Sequence, residues 1–583
     1  MKSFFKNIIS TILAIISSIF IIILLFFGII TILNSEKEEI VKPNSILTID
    51  LANTSIVERT VINPFQEINP LSGEMEKTIE LKQVLDNIEK AKTDDNIKGI
   101  YIKSSFVNAG LSQIEEIRNK LLEFKKTGKP IVSYGEMYSQ YAYYLASIAT
   151  TIYLNPEGII DLKGLGITQM FFKGLFEKLD IDIQIIRHGK FKSAIEPFTL
   201  NKMSHANRKQ MEKLLHSMAD NIMDSIASQR GLTLSEIQNH ADNLSLENAQ
   251  KCVDFNYVDA LLYQDQLEDS LRIISEDSKL NFISLKKYTN VKKKKEKISR
   301  NKIAIIYATG SIASGKGDET SIGSETTAKA IKKARNDKNV KAIVFRINSG
   351  GGSALASDVI WRETILAKKE KPLVVSMGDF AASGGYYIAC AADSIVANPT
   401  TLTGSIGVFG MIPNLQRFYE NKLGITMDTV KTNKYADIGI NRPLTSFEKN
   451  KIQKNIEHVY NTFITRVADG RKLSKTAVDA IGQGRVWSGY DAKHIGLVDT
   501  YGGIEKAISI AVELANITEY RIISLPKKKD PFTELAMTLG KEGSISEILM
   551  KKIGVQTKLT KPIENLLEQD IIQARIPFII ELK

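Results

Sequence analysis

The chain contains one unit repeated in tandem, and this repeat constrains its fold more than any other feature. Residues 96–102 (NIKGIYI) resemble residues 339–345 (NVKAIVF), and residues 143–146 (YYLA) resemble residues 386–389 (YYIA). Both pairs are 243 residues apart (339 less 96, and 386 less 143). A single long spacing indicates a duplicated domain and not a solenoid of short repeats.

In each copy, short β-branched runs alternate with longer amphipathic segments. In the second copy, residues 303–307, 342–347 and 373–376 have the composition of buried strands, and residues 326–336 and 357–369 have the periodicity of helices. Strands that alternate with helices form a mostly parallel sheet covered by helices. The sequence therefore predicts an α/β fold, with one such sheet in each copy.

A chain of 583 residues is too long for one hydrophobic core. The tail after the second copy has no counterpart in the first, and we expect its last apolar run, 576–580, to pack on the body or on a neighbouring subunit. The predicted segments are an N-terminal transmembrane anchor at 1–35, a first repeat at 36–285, a basic linker at 286–301, a second repeat at 302–525 and a C-terminal tail at 526–583.

The N-terminal segment has the pattern of a membrane span. Residues 7–35 carry no charge, and Ile, Leu and Phe dominate residues 8–33. About 20 apolar residues are enough to cross a bilayer as a helix. Lys2 and Lys6 precede the apolar run and acidic residues follow it, so the positive-inside rule places the N-terminus in the cytoplasm. We expect a single-pass protein with an extracytoplasmic body.

Charge and cysteine content argue against several classes of partner. The net charge is +11, and its one dense basic run, 292–297, lies between periodic segments, as a solvated linker does. We therefore expect no nucleic-acid partner. The two cysteines, Cys252 and Cys390, are far apart and give neither metal-ligand spacing nor a disulfide framework.

Ser383 lies where an apolar strand gives way to a helix, in a stretch of small residues. Such a turn exposes the serine hydroxyl and aims backbone N–H groups at the atom that the hydroxyl attacks. The alternative is a tight turn with Ser383 as a helix cap. In the first copy, the counterparts of Ser383, Gly384 and Gly385 are Gln140, Tyr141 and Ala142. The serine turn is thus specific to the second copy.

A second glycine-rich turn follows the preceding strand of the same copy. Residues 350–352 are all glycine, whereas their counterparts in the first copy are Val107, Asn108 and Ala109. Loops at one edge of a parallel sheet are the usual place for a site. Together the two turns could offer a hydroxyl and two N–H donors to a tetrahedral oxyanion.

A serine nucleophile needs a base, and none of the six histidines lies in a triad-like motif. Lysine is the alternative. Aligning residues 188–198 with residues 433–438 places Lys192 opposite Ala436, so one copy has the lysine and the other the serine. This reciprocal split predicts one composite site built by both copies. A lysine base must be neutral, which requires its pKa to fall from about 10.4 to near neutrality at a cost of about 4 kcal/mol. Burial can impose this.

Several motifs together resemble the signal peptide peptidase A family, in its long, duplicated bacterial form. The match extends from the N-terminal anchor to about Leu525, and its most specific parts are 192–197 (KSAIEP), 382–387 (ASGGYY), 403–407 (TGSIG), 484–487 (GRVW) and 496–499 (GLVD). The resemblance implies a membrane-anchored serine protease with a Ser–Lys dyad and no cofactor. It further implies two ClpP/crotonase-like repeats, a homotetramer, an inner-membrane location with a periplasmic body, and apolar remnant signal peptides as substrates.

The resemblance also assigns roles to single residues. It implies Ser383 as nucleophile, Lys192 as general base and Ser405 as the serine that orients the lysine. Gly384 would supply one oxyanion N–H. Within 350–352 the second donor is left open, with Gly352 placed first and Gly351 next. The family usually has Asn-Ser-Pro-Gly-Gly here, and Gly350 replaces the proline, which loosens this loop.

Three other functions compete with this prediction. Crotonase-type acyl-CoA chemistry also uses an oxyanion hole, but it does not explain the division of serine and lysine between the copies. A non-catalytic membrane-anchored scaffold does not explain the intact serine, lysine and glycines. Residues 310–316 (GSIASGK) nearly match a phosphate-binding loop, but the next residue is glycine and no apolar helix follows at once.

Overall fold

The computed structural model describes most of the two repeats and a short piece of the tail. The described residues are 39–60, 77–103, 105–292, 299–318, 320–528 and 572–576, together with Thr11, Ala14, Ser17, Ser18 and Ile21. No helix among these residues is both long enough and apolar enough to cross a membrane. The predicted span at residues 8–33 lies outside the described residues except at those five positions.

The strands fall in two series that follow the two repeats, with one strand from the tail. In chain order they are β1 (Ser45–Ile49), β2 (Ser55–Val57), β3 (Thr78–Glu80), β4 (Ile97–Lys103), β5 (Ile131–Gly135), β6 (Tyr138–Ser139), β7 (Thr151–Leu154), β8 (Ile160–Asp161), β9 (Asp182–Arg187), β10 (Ala260–Leu261), β11 (Asn281–Ser284), β12 (Lys302–Thr309), β13 (Ser311–Ala313), β14 (Ser321–Gly323), β15 (Val340–Ser349), β16 (Gly351–Ser353), β17 (Leu373–Ala382), β18 (Ser394–Ala397), β19 (Leu402–Gly404), β20 (Phe409–Asn414), β21 (Val486–Ser488), β22 (Thr500–Tyr501), β23 (Arg521–Leu525) and β24 (Ile572–Arg575).

Helices connect these strands and cover the sheets. The α-helices are Leu81–Thr93, Leu111–Lys125, Gln140–Ala146, Lys173–Lys178, Glu196–Thr199, His205–Arg230, Leu234–Asp242, Ala249–Asp254, Gln264–Ser275, Leu285–Thr289, Ser324–Asn336, Ala354–Lys368, Gly384–Ala389, Gln416–Phe418, Ser446–Arg471, Lys475–Ile481, Gly489–His494 and Ile504–Leu514, with a 3-10 turn at Ser193–Ile195 and a π-helical turn at Tyr419–Leu423.

Each repeat forms its own mainly parallel sheet, as the sequence predicts. The first has the order β10-β7-β5-β4-β1-β11, and its strands are parallel throughout. The second has eight strands, six of them in the order β21-β19-β17-β15-β12-β23, with β18 paired to β17 and β22 paired to β18. Among the described residues its one antiparallel pair is β19 with β21. Apolar runs such as that of β15, buried along almost its whole length, fit a sheet that is covered on both faces. The predicted α/β fold with parallel sheets is confirmed.

A third sheet combines strands from both repeats and from the tail. Its order is β14-β13-β16-β24-β20-β9. The first repeat supplies β9, which pairs antiparallel with β20 of the second repeat over six residues. The tail supplies β24, which lies between β16 and β20. This sheet therefore joins the repeats at the edge where the glycine-rich turn lies.

The repeats also share a buried ionic contact. The guanidinium of Arg346, on β15, is fully buried, and its Nε lies 2.7 Å from Glu58 Oε2 and its Nη2 lies 2.8 Å from Glu116 Oε1. Both glutamates belong to the first repeat. Burial raises the pKa of Glu116 to about 7, while Arg346 opposes that shift. The contact therefore links the repeats through charges that have no access to water.

We expect Arg346→Ala to lower the free energy of unfolding by about 3–5 kcal/mol, because it leaves two buried carboxylates without their cation. Chemical denaturation followed by tryptophan fluorescence would measure the loss. Arg272→Ala is the control, since the ion pairs of Arg272 lie on the surface, where such pairs contribute less than about 1 kcal/mol. Equal losses in the two variants would contradict a structural role for the buried contact.

Candidate active site

Ser383 occupies a strained turn between β17 and the helix Gly384–Ala389. Its backbone has φ 55° and ψ −113°, a conformation that costs a non-glycine residue about 1–3 kcal/mol. The Ser383 N–H donates to the carbonyl of Gly404 at 2.8 Å, which ties the turn to the end of β19. The side chain is fully buried, so the hydroxyl lies inside the protein next to this strand end.

Lys192 reaches this serine from the first repeat. It lies between β9 and the 3-10 turn Ser193–Ile195, and its side chain is fully buried. Its Nζ lies 2.8 Å from Ser383 Oγ, 3.0 Å from Ser405 Oγ and 3.2 Å from the carbonyl oxygen of Ser405. The structure thus brings together the serine and the lysine that the sequence divides between the copies.

The environment of Lys192 favours a neutral amine. Burial is the main cause that holds its pKa well below its usual range, and the positive charge of Arg575 adds to the effect. The nearest polar atoms come from Ser383 and Ser405, which carry no charge. A lysine held in this state can accept a proton.

Ser405 is fixed in turn by the loop that follows β19. Its φ is 49°, and its N–H donates to the carbonyl of Arg485 at 2.7 Å. Its Oγ also lies 3.4 Å from the carbonyl oxygen of Gly484. These contacts hold both Ser405 oxygens toward Lys192.

Two further residues shape the lysine pocket, and the sequence analysis gave neither a role. Gly484 packs so closely that a methyl group on it would lie 2.6 Å from Lys192 Cβ, and its φ is +84°. Gln210 donates through Nε2 to the carbonyl of Phe191 and to Ser193 Oγ, both at 3.1 Å, and so fixes the residues on either side of Lys192. The motif 484–487 is the only sequence feature that points to Gly484. No feature of the sequence points to Gln210.

The two glycine turns meet beside Ser383. A methyl group on Gly351, whose φ is +99°, would lie 2.7 Å from the backbone nitrogen of Gly384. Gly352 pairs with Ile312 of β13 on one side and with Ala574 of β24 on the other. The backbones of the predicted oxyanion donors Gly384, Gly351 and Gly352 are therefore adjacent, and only residues without a side chain fit there.

The first repeat uses the equivalent turn for structure. Gln140, the counterpart of Ser383, begins the helix Gln140–Ala146, and its Oε1 accepts hydrogen bonds from the N–H groups of Gly164 at 2.8 Å and Lys163 at 3.2 Å. Ser139 caps that helix by accepting from the Ala142 N–H. This turn thus holds a loop in place and presents no hydroxyl equivalent to that of Ser383.

Metal ligation finds no support in the part of the chain that the structure describes. No group of three or more His, Cys, Asp or Glu side chains there is arranged to hold an ion. His188, the histidine nearest in sequence to Lys192, stacks its ring on Tyr460 with the centroids 3.9 Å apart.

Comparison with known proteins places the chain in a family. The model of peptidase family S49 matches residues 123–276 and again residues 365–518, once in each repeat. "Protease 4" of Salmonella typhi is 37% identical over 495 residues, which are 83% of this chain and 79% of that protein. "Serine protease SPPA, chloroplastic" of Arabidopsis thaliana is 35% identical over 517 residues, 87% of this chain and 75% of that protein.

Among solved structures, a point mutant of ClpP1 from Listeria monocytogenes aligns with 35% of this chain and 94% of that chain, at 17% identity and a TM-score of 0.24. The family match and the two long relatives confirm the resemblance that the motifs indicate. The chain belongs to peptidase family S49 and is a serine protease of the signal peptide peptidase type.

Proposed function

We propose that Ser383 is the nucleophile of this protease and that Lys192 is its general base. The observation that carries the proposal is the 2.8 Å contact between Lys192 Nζ and Ser383 Oγ, made by two fully buried side chains from different repeats. A nucleophile and a base within hydrogen-bond distance are the minimum for covalent catalysis by a serine. Each repeat then supplies half of one site.

The hydrogen bonds around Lys192 fit a neutral amine. Such an amine has two N–H donors and one lone pair. Ser405 offers its Oγ and its carbonyl oxygen to the donors, at 3.0 and 3.2 Å. The lone pair is then directed at the hydroxyl of Ser383. Ser405 accordingly orients the base.

Peptide cleavage follows from this arrangement. Lys192 accepts the hydroxyl proton as Ser383 Oγ attacks the substrate carbonyl. The N–H groups of Gly384 and of Gly351 or Gly352 stabilise the oxyanion. The lysine then gives its proton to the leaving amine, and an ester of Ser383 remains. Water, deprotonated by the same lysine, hydrolyses that ester.

We further propose apolar signal peptides as the substrates, released into a membrane after preprotein processing. The support is the family and the apolar residues 8–33, which would anchor the chain with its body on the periplasmic side of an inner membrane. A single-pass anchor, a ClpP/crotonase-like fold in each repeat and a homotetramer are part of the same proposal.

The full chain in detergent should cleave a synthetic apolar signal peptide and should not turn over an acyl-CoA thioester. Mass spectrometry of the peptide products and a thiol assay for released coenzyme A would measure the two activities in parallel. An acyl-CoA turnover without peptide cleavage would favour the crotonase-type function. If neither substrate reacted, the non-catalytic scaffold would be favoured.

A further inference from the structure

Asp379, four residues before Ser383 in the chain, lies at the N-terminus of a helix from the first repeat. Its Oδ1 accepts a hydrogen bond at 2.8 Å from the N–H of Ser112, in the first turn of the helix Leu111–Lys125. The N-cap of that helix is Gly110, and a methyl group on Gly110 would overlap Asp379 Oδ2. The carboxylate therefore takes the place of the side chain that Gly110 lacks, and it caps the helix across the boundary between the repeats.

A second helix is capped in the opposite direction. The N-cap of the helix Ile504–Leu514, in the second repeat, is Gly503. Glu116 of the first repeat accepts the N–H of Ile504 through Oε2 at 2.8 Å, and a methyl group on Gly503 would overlap this carboxylate. Each repeat thus supplies the cap of one helix of the other. Of the two carboxylates, only that of Asp379 belongs to β17, the strand that leads to the nucleophile.

Asp379 lies in a bulge of β17. Residues 378–380 stand opposite the single residue Asn348 of β15. Bulges bend a strand, re-aim a side chain and are frequent next to active sites. The Asn348 side chain closes this bulge, because its Oδ1 accepts from the Phe380 N–H at 3.0 Å and the same side chain lowers the pKa of Asp379 through a hydrogen bond. The path of β17 into Ser383 is therefore set by contacts that converge on Asp379 and Asn348.

The Asp379 carboxyl is ionised at and above neutral pH. Burial and the negative charge of Glu58 raise its pKa to about 6, while the Ser112 N–H and the charge of Arg346 oppose that rise. An ionised carboxylate accepts hydrogen bonds on both oxygens and is stabilised at the N-terminal end of a helix. Asp379 can therefore bond to Ser112 and Asn348 at the same time, whereas an amide of the same shape has one acceptor oxygen in place of two.

We propose that Asp379 is a positioning residue of the active site, which holds the end of β17 against the first repeat and so brings Ser383 to Lys192. The inference rests on the proposed roles of Ser383 and Lys192. These two side chains come from different repeats, so the 2.8 Å distance between Nζ and Oγ depends on how the repeats are aligned. The Asp379 carboxylate contacts a helix of one repeat and belongs to a strand of the other. It thus transmits the alignment of the repeats to the nucleophile.

The test compares the full chain in detergent with Asp379→Ala, Asp379→Asn and the double variant Asp379→Ala/Gly110→Ser. Steady-state kinetics with an apolar signal peptide would give kcat and KM, and chemical denaturation would give the free energy of unfolding. Asp379→Ala is expected to lower kcat about 100-fold and to leave KM within about twofold, since a misplacement of about 1 Å can cost that much in rate. Asp379→Asn keeps the shape and one acceptor oxygen, so its kcat should lie between those of Asp379→Ala and the unmodified chain.

Gly110→Ser separates positioning from helix capping. The backbone of Gly110 has φ −68° and ψ 155°, which any residue can adopt, so in the Asp379→Ala background a serine there can cap the helix from within its own repeat. The double variant should regain the stability of the unmodified chain but keep the low kcat. If kcat returned together with stability, Asp379 would serve only as a helix cap, and the proposal would be overturned.

Asp393→Asn is the matched control. Asp393 Oδ2 accepts from the Leu373 N–H at 2.9 Å, which is a contact of the same kind at the other end of β17, and this variant should keep the kcat of the unmodified chain. An unchanged kcat in Asp379→Ala, a change confined to KM, or equal losses of kcat in Asp379→Asn and Asp393→Asn would overturn the proposal. Asp379→Asn decides the matter if Asp379→Ala does not fold.

Ser383→Ala is measured on the same peptide, so that a failure of the proposed function is recognised separately. If the unmodified chain cleaves the peptide through Ser383 and Asp379→Ala cleaves it equally well, the positioning role is overturned while the proposed function stands. If the unmodified chain and Ser383→Ala cleave the peptide at the same rate, the proposed function fails and the inference fails with it.

Discussion

Ser383→Ala, Lys192→Ala and the double variant should each lower kcat/KM for peptide cleavage by on the order of 10⁴-fold. The hydroxyl and the amine act as one unit across a 2.8 Å contact, so the loss of either stops nucleophilic attack. For the same reason, the double variant should be no less active than the less active of the two single variants. Steady-state kinetics with a fluorogenic apolar peptide would measure all three.

Lys190→Ala is the matched control for this prediction. Lys190 lies in the same turn as Lys192 but is exposed, and it should keep the activity of the unmodified chain. If Lys192→Ala lost no more activity than Lys190→Ala, the base would have to be sought elsewhere. Losses that multiply in the double variant would show that the two residues act independently.

The second large effect is a loss of activity in acid. Burial, with the charge of Arg575, holds the pKa of Lys192 well below its usual range, and only the neutral amine can accept the serine proton. Activity should therefore be complete above the folded-state pKa of Lys192 and fall about tenfold per pH unit below it. The pH profile of kcat/KM measures this, and a profile without an acid limb would contradict a lysine base.

The lowered pKa of Lys192 also makes the free energy of unfolding depend on pH. In the unfolded chain Lys192 regains an ordinary pKa of about 10.4. Between the lowered folded-state pKa and that value, the unfolded state binds one more proton, so stability rises with pH by up to about 1.4 kcal/mol per unit. The free energy of unfolding, measured relative to Lys192→Met, should rise with pH in this window. Parallel curves for the two chains would contradict a neutral buried lysine.

The repeat was the feature from which the fold could be predicted. The strand at 303–307 lies inside β12, and the helix at 326–336 lies inside Ser324–Asn336, because a periodic apolar pattern marks both. Strand β17 extends to Ala382, beyond the predicted end at residue 376. Its second half contains Gly378 and two alanines, which have little strand propensity, and pairing with β15 and β19 keeps it extended.

The contact between Ser383 and Lys192 could be predicted because a duplication shows which residues one copy lacks. Comparison of the copies shows that Gln140 occupies the position equivalent to Ser383, and that Ala436 occupies the position equivalent to Lys192. The same comparison could not find the strand β24, since the tail has no counterpart in the first repeat. Four residues that include a glutamine and an arginine carry no strand signal, and only their pairing with β16 and β20 makes them a strand.

Active-site labelling tests the composite dyad most directly. The full chain in detergent is treated with an alkyl fluorophosphonate, a reagent that phosphonylates activated serine hydroxyls with loss of fluoride, and the adduct is located by peptide mass spectrometry. The structure predicts a single adduct, on Ser383. The extent of labelling should be high at high pH, should decrease in acid, and should be abolished in Lys192→Ala. An adduct on another serine, or labelling of Ser383 that is undiminished in Lys192→Ala, would contradict it.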